Sequence, residues 1–470
     1  MSPVCTTVDR LPNCAAPGAG PWTYANALEF LYSRINYEQL PREQYSAAGF
    51  KLERMQALLD RLGNPQRNFP AIHIAGTKGK GSTAAISAAV LEAAGYRVGL
   101  FTSPHLTRFE ERMRVNGREP SPDDVVRLVG EVAVAAEELA AEGPDRRPTF
   151  FEFTTAMAWK YFQHAGAEVV VLEVGLGGRL DATNLCHPSA TIITSISRDH
   201  TQLLGETLAE IAREKAGIIK PGVPVLSGVT DAQAAAVISQ AADEAGAPLY
   251  TLGRDIHCCD VVPDSCVSLL PHWSATIRTP WREHPPLRMP LAGEHQVANT
   301  ALALAAVDLF TQGGRVPADD AIADGLNAVR WPLRIEVLRD SPLVIADAAH
   351  NTASMSALVN TLRSLSPARR TAIFAVARDK DIADMLRIAG SYFDHLILTR
   401  FTSNPRATPV AELATIADDV GVRDFSAIEA PQHAWRSAIA SASPQELICI
   451  TGSFFLGAEL RDVIVSGQAG

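Results

Sequence analysis

The chain has 470 residues, 47% of them hydrophobic and 20% charged, which is apolar material enough to offset the entropy of ordering and excludes a wholly disordered protein. Its 42 lysines and arginines against 52 aspartates and glutamates leave a net charge of −10, which argues against nucleic acid as the main partner but not against a nucleotide in a small basic site. Seven cysteines without a C-x-x-C pair exclude a zinc knuckle and a dithiol redox motif and predict reduced thiols.

At about 100–200 residues per domain, the length predicts roughly two to four domains. Residues 1–21, rich in Pro, Gly and Ala, read as a flexible leader without an apolar signal region. No run approaches about 18 apolar residues, so no membrane partner is expected and a cytoplasmic location is. An amphipathic helix is predicted from near Tyr24, in YANALEFLYSRI. Between residues 70 and 230 the runs AIHIAG, RVGLFTS, VVVLEVG, ATIITSIS and VPVLSG alternate with Ala-rich helical stretches. Apolar runs without polar alternation are strands buried on both faces, which predicts a parallel sheet covered by helices. Residues 232–290 are less periodic and predict short antiparallel strands, followed by a helix in HQVANTALALAAVDLF. Near Trp331 a second series begins, with LVIADA, RTAIFAVA, HLILTRF and ELICITG. It predicts a second α/β domain over residues 331–470, after a first over 22–330.

The segment AIHIAGTKGKGSTAAISAAV reads strand, glycine-rich loop, helix. The loop comprises Gly76, Thr77, Lys78, Gly79, Lys80, Gly81 and Ser82. Glycines let the backbone approach a ligand, and consecutive N–H groups at a helix start attract an anion. Lys80 is placed against β- and γ-phosphates, with a hydroxyl from Ser82 or Thr83. The strict G-x-x-x-x-G-K-[ST] spacing is not met, since position 74 is Ile and Gly81 separates Lys80 from Ser82. The alternative is a glycine-rich turn with a surface lysine. The first reading makes the fold a phosphate-loop ATPase domain with a mostly parallel sheet, plus a smaller Rossmann-like α/β domain.

Ser103, Glu173 and His200 end or follow consecutive strands, on the edge where open α/β sheets place ligands. A hydroxyl, a carboxylate and an imidazole can share magnesium with phosphate oxygens. Taken singly, Ser103 also fits a turn and His200 a satisfied polar histidine. Glu173 is harder to read that way, because an unpaired carboxylate ending an apolar strand is costly to bury. Lys215, in LAEIAREKAGII, taken alone is a solvated lysine that pairs with Glu210 or Glu214.

The segments GTKGKGS, TSPHLTRFEERMRVNG, TFFEFTTAMAWKYF, LEVGLGGRLDATN, DHTQLLGETLAEIAREKAGIIKPGVPV, GEHQVANTALA, WPLRIEVL and DAAHN follow one another as far as TGSFFLG. Together they resemble the folylpolyglutamate synthase and dihydrofolate synthase branch of the Mur ligase superfamily. The resemblance implies ATP-dependent joining of L-glutamate to a folate-type carboxylate through an acyl phosphate. It implies a monomeric, bifunctional enzyme that takes dihydropteroate and reduced folates. It assigns Thr77, Lys78, Gly79, Lys80, Gly81 and Ser82 to ATP phosphates, Asn299 to adenine, and Arg334 and Asp347 to ATP. It places His350 near the incoming amino acid, and Thr149, Phe150, Leu180, Asp181 and Ala182 around the pterin. It makes Ser103, Glu173 and His200 magnesium ligands at a site of two ions, and Lys215 a carbamylated lysine facing the second.

This chain departs from the pattern at three places. Ala348 and Leu333 stand where the family usually has glycine, and SAAGFKLERM lacks the polar Thr-Ile-Asp sequence of some bifunctional members. Three other readings are less well matched. A cell-wall Mur ligase carries an extra N-terminal domain, whereas 75 residues precede Gly76 here. A phosphate-loop motor or signalling NTPase, or a nonenzymatic nucleotide-binding protein, has no need of LEVGLGGRLDATN or the second α/β domain.

Overall fold

The computed structural model describes residues 22–40, 49, 51–264 and 269–467. The leader expected over 1–21 and most of the first half of SAAGFKLERM lie outside the described residues. Helix Tyr24–Tyr32 begins as the sequence predicts, and Thr23 and Asn26 close a reciprocal cap at its start.

Seven strands form the first sheet: β1 (Pro70–Ala75), β2 (Val98–Phe101), β3 (Met113–Val115), β4 (Val169–Glu173), β5 (His187–Ile193), β6 (Val225–Ser227) and β7 (Leu249–Thr251). Their order is β3-β2-β4-β1-β5-β6-β7. Only β3 runs antiparallel, against β2. The sheet is buried on both faces. Ile72, Ile74 and Val171 pack with helices Lys80–Ala93 and His295–Thr311 on one side. Ala71, Val170 and Leu172 pack with helices Pro122–Ala140 and Phe150–His164 on the other. Unbroken apolar runs are therefore what these strands require.

Residues 232–290 differ in part from expectation. They open on helix Ala232–Glu244, capped by Asp231, and then supply β7 to the main sheet. The helix buries only small or single apolar residues, Ala234, Ile238 and Ala242, so its stripe contrasts weakly with its alanine background. Antiparallel strands follow: β8 (His257–Asp264), β9 (His272–Arg278) and β10 (Leu287–Arg288) form a separate three-stranded sheet.

The last sheet comprises β11 (Glu336–Asp340), β12 (Leu343–Ala346), β13 (Arg370–Phe374), β14 (His395–Leu398), β15 (Phe425–Ala427) and β16 (Leu447–Thr451). Its order is β11-β12-β16-β13-β14-β15, parallel except for β11. Two apolar clusters cover its faces. The carboxyl ends of β1, β4, β5 and β12 all open on one cavity of about 620 Å³, which is lined from both sheets.

Candidate active site

The phosphate loop leaves β1 at Gly76 and enters helix Lys80–Ala93 at Gly79, whose φ of +85° is left-handed. A Cβ there would lie 2.3 Å from the Asn299 side-chain oxygen, so only glycine fits. The loop is tied to the segment after β5. Thr77 N–H donates to the Ser195 carbonyl at 2.8 Å, and Lys78 N–H donates to Ser195 Oγ at 3.0 Å. No side chain caps the helix start, which leaves main-chain donors and the helix dipole facing the cavity. Lys80 folds back, its Nζ donating to the Gly76 carbonyl at 3.1 Å. Gly81 and Ser82 also line the cavity.

Lys215 is buried rather than solvated. Glu210 is used in the cap of Thr207 and Glu214 pairs with Arg179, so neither holds Lys215. Its Nζ donates to the same Gly76 carbonyl at 3.1 Å. Burial first, then the charge of Lys80, pushes its amine down to about 7. The helix that carries it, Leu208–Ala216, is distinct from the short turn Thr201–Leu204 after His200.

Ser103, Glu173 and His200 all border the cavity. Glu173 Oε2 accepts from Ser103 N–H at 3.2 Å, and burial raises its carboxyl pKa. Among the described residues, no three His, Cys, Asp or Glu side chains converge on a preformed cage. One buried carboxylate with a hydroxyl and an imidazole is a sparse, mainly oxygen donor set. It fits magnesium, which keeps waters and takes phosphate oxygens.

The C-terminal side meets the loop through Asp199, a residue that the sequence reading missed. Its Oδ2 accepts from Lys78 Nζ at 3.2 Å and from Asn351 Nδ2 at 3.3 Å. Its Oδ1 accepts from Lys380 Nζ at 2.5 Å. Burial opposes ionisation of this carboxyl, but Lys78 first, then the neighbouring His350 and Lys380, hold it well below the usual range. His350 Nδ1 lies 2.8 Å from the Ala348 carbonyl, which can only accept, so Nδ1 carries the hydrogen. Burial holds the imidazole at about 4, hence neutral, and its bare Nε2 accepts from Lys78 Nζ at 2.8 Å. Burial also brings Lys78 down to about 7, although Asp199 opposes the shift.

Arg334 and Asp347 border the cavity from the same side. Asp347 accepts from Ile335 N–H at 2.9 Å and Ala349 N–H at 2.8 Å, and so holds the turn that carries Arg334. Leu333 and Ile335 have φ of +55° and +50°, strained values for branched side chains. The turn thus asks for glycine at 333, and leucine is held there by full burial against Gly457. Ala348 has no positive φ, so its missing glycine changes little. Asn299 lies beside Gly79, with its Nδ2 donating to Gln296 Oε1 at 2.8 Å.

At the far end, Thr149, Leu180, Asp181 and Ala182 line the cavity. Phe150 does not. Its ring is fully buried, stacked on Tyr32 at 5.6 Å and under the Arg112 guanidinium at 5.0 Å. Of the two neighbouring rings Phe150 and Phe151, it is Phe151 that lines the cavity. Thr149 caps its helix and donates to Glu152 Oε2 at 2.9 Å. Glu152 is paired with buried Arg54 at 2.8 Å, and Arg54 also donates to the Gly49 carbonyl at 2.6 Å. The sequence gives no periodic signal for this pair, which is 98 residues apart.

Residues 74–307 match the model of the Mur ligase middle domain, and residues 333–454 that of the Mur ligase glutamate ligase domain. The folylpolyglutamate synthase of Lacticaseibacillus casei is 35% identical, over 88% of this chain and 95% of its own. The dihydrofolate synthase/folylpolyglutamate synthase of Bacillus subtilis is 33% identical, over 93% and 98%. The solved structure of Escherichia coli FolC in complex with DHPP and ADP superposes with a TM-score of 0.81 at 31% identity, covering 97% of this chain and all of that one (100%). With relatives this similar over nearly their whole length, the chain belongs to the folylpolyglutamate synthase/dihydrofolate synthase family of the Mur ligases and is a ligase.

Proposed function

We propose that this protein joins L-glutamate to the carboxylate of a folate-type acid at the expense of ATP, with both dihydropteroate and reduced folates as acceptors. The observation that carries this reading is the continuity of one cavity. It runs from the phosphate loop, past Glu173 and Lys215, to the pocket of Thr149, Phe151 and Leu180, and is walled opposite by Arg334, His350 and Lys380. The relatives' names include both activities, and the E. coli neighbour binds DHPP and ADP.

In this reading the main chain of Thr77–Ser82 and Lys80 hold the β- and γ-phosphates, Asn299 meets adenine, and Arg334 and Asp347 reach ATP from the C-terminal side. An acceptor carboxylate oxygen attacks the γ-phosphorus, and the bond to the β–γ bridging oxygen breaks to release ADP. The glutamate amine then attacks the acyl carbon, loses a proton, and displaces inorganic phosphate. Arg334 and Lys80 offset charge on the transferring group. Lys380 and Arg406 form the cationic wall that would receive the carboxylates of glutamate, beside the neutral imidazole of His350. Residues 22–330 and 331–470 act as two units whose closure keeps water from the acyl phosphate.

Ser103, Glu173 and His200 would hold magnesium, which supplies charge neutralisation at the phosphates when bound. Lys215 is suited to carbamylation. Its buried ammonium first gives up a proton, the neutral amine attacks CO2 to form a C–N bond, and a second proton leaves the nitrogen, so that a cation becomes an anion able to face a second ion. The cavity is complete within one chain, which supports a monomer as the working unit.

The test is product analysis by mass, with dihydropteroate and tetrahydrofolate offered separately. A gain of one glutamyl residue, with ADP release that requires both acid and glutamate, is expected with each. ADP release independent of both would overturn the reading, and product from tetrahydrofolate alone would reduce it to a folylpolyglutamate synthase.

A further inference from the structure

A histidine sits in the main sheet, behind the cavity wall, and has no part in the reaction described above. His73 lies in β1, between Leu172 of β4 and Thr191 of β5, and is fully buried. Its neighbours Ile72 and Ile74 point into one apolar cluster, so strand alternation sends His73 to the opposite face. There its Nε2 lies 2.9 Å from Thr183 Oγ1. Thr183 in turn donates its hydroxyl hydrogen to Asp181 Oδ1 at 2.5 Å, and its own N–H donates to the same oxygen at 3.0 Å. Asp181 Oδ2 accepts from Leu176 N–H at 2.9 Å.

The hydrogens in this chain have one consistent order. Thr183 has a single hydroxyl hydrogen, and it goes to the carboxylate. Thr183 Oγ1 must then accept from His73, which places the imidazole hydrogen on Nε2. The reverse order needs a protonated Asp181 and a hydrogen on His73 Nδ1. That nitrogen is buried with no partner among the described residues, and a buried N–H without an acceptor is the costlier state. Burial raises the Asp181 carboxyl pKa, but the Thr183 hydroxyl and the backbone N–H groups aimed at it oppose that shift, and the reverse order would waste those donors. Burial holds the His73 imidazole down at about 3, so it stays neutral across the working range.

An apolar residue would fill the His73 position at less cost, since a buried polar group is tolerated only for its hydrogen bonds. What the hydrogen bond secures is the loop 175–184. Asp181 is at its centre, Leu180 and Ala182 flank it on the cavity wall, and Arg179 N–H donates to the Glu214 carbonyl at 2.8 Å, next to Lys215. Asp181 spends its oxygens on this loop, so its part in the pocket is to hold the wall.

We infer that His73 is a positioning residue for the acceptor: through Thr183 it fixes Asp181, and with it the Leu180–Ala182 wall against which the folate-type acid lies. This rests on the acceptor reading of that pocket given above. The Nε2–H form is intrinsic to the free protein, whereas the effect on the acceptor depends on the reaction.

Two measurements test it. In protein labelled with 15N-histidine, long-range proton–nitrogen spectra should show His73 as the neutral Nε2–H tautomer; an Nδ1–H tautomer would overturn the chain of hydrogen bonds. In kinetics, Thr183→Val should raise the acceptor KM about tenfold or more while leaving the ATP KM within about twofold, as expected for losing a hydrogen bond to a carboxylate at one end of the cavity. His73→Leu should do the same. His73→Gln, whose amide can donate from the Nε2 position, should restore the acceptor KM. An unchanged acceptor KM in Thr183→Val, or an equal rise in both KM values, would overturn the positioning role. A wild-type chain that ligates no folate-type acid would overturn the acceptor reading instead, and the tautomer spectrum would still decide the hydrogen bonds.

Discussion

Asp199→Asn removes one charge and keeps the shape of the side chain. In the wild type the carboxylate joins Lys78 of the phosphate loop to Lys380 and Asn351 of the C-terminal side. Taking one partner from a buried ion pair costs about 3–5 kcal/mol. Lys380 is 9% exposed at its side chain but Lys78 is 25% exposed, so solvent offsets part of the loss and the low end applies. At about 1.4 kcal/mol per tenfold, about 3 kcal/mol weakens docking of the two sides by more than about 100-fold. The sign of the pH dependence follows from Lys78, already at about 7 with Asp199 supporting its charge. Without Asp199 the Lys78 pKa falls further. Below it the ammonium is charged and unpaired; above it the amine is neutral and the deficit shrinks. Small-angle X-ray scattering of the ligand-free variant should show a larger radius of gyration than the wild type, most clearly below pH 7, together with a loss of turnover. A scattering profile and turnover equal to wild type on both sides of pH 7 would show that Asp199 does not join the two sides.

Lys80→Ala should abolish ligation and leave the unfolding transition in place, as read by circular dichroism; near-normal turnover at saturating ATP would contradict the phosphate-loop assignment. Lys215→Ala should lose most activity and regain part of it with short carboxylic acids, which replace the carbamate. Because only the neutral amine reacts with CO2, CO2-dependent activation of the wild type should fall as pH drops through about 7; wild-type activity of Lys215→Ala in CO2-free buffer would count against this. Leu333→Gly relieves a left-handed strain of about 1–2 kcal/mol but loses a buried side chain worth about 2–5 kcal/mol, so the C-terminal transition should move to lower temperature. A rise in Tm would show that strain dominates there.

The strands with unbroken apolar runs were legible in the sequence, because burial on both faces admits little else. Some short elements were not. β3 and β15 have three residues each, and helix Ala232–Glu244 hides its stripe among alanines. In the site, the glycines of the loop and the carboxylate of Glu173 announce themselves by chemistry. Phe150 and Phe151 cannot be told apart that way, since adjacent helical residues differ by about 100° in direction and only packing decides which one is core. Lys215 reads as surface within EIAREKAG and is buried by the loop laid over it. Asp199 and Lys380 stand 181 residues apart and meet only when the two sheets are brought together. Asp199 had one usable signal, its place just before His200 at a strand's carboxyl end. Lys380 had none.

In the proposed reaction, phosphoryl transfer from ATP activates the acceptor carboxylate. An acceptor labelled with 18O in that carboxylate tests it most directly, with mass analysis of the inorganic phosphate released on ligation. One labelled oxygen is expected in each phosphate, carried from the carboxylate through the acyl phosphate. Ligated product accompanied by unlabelled phosphate would contradict it.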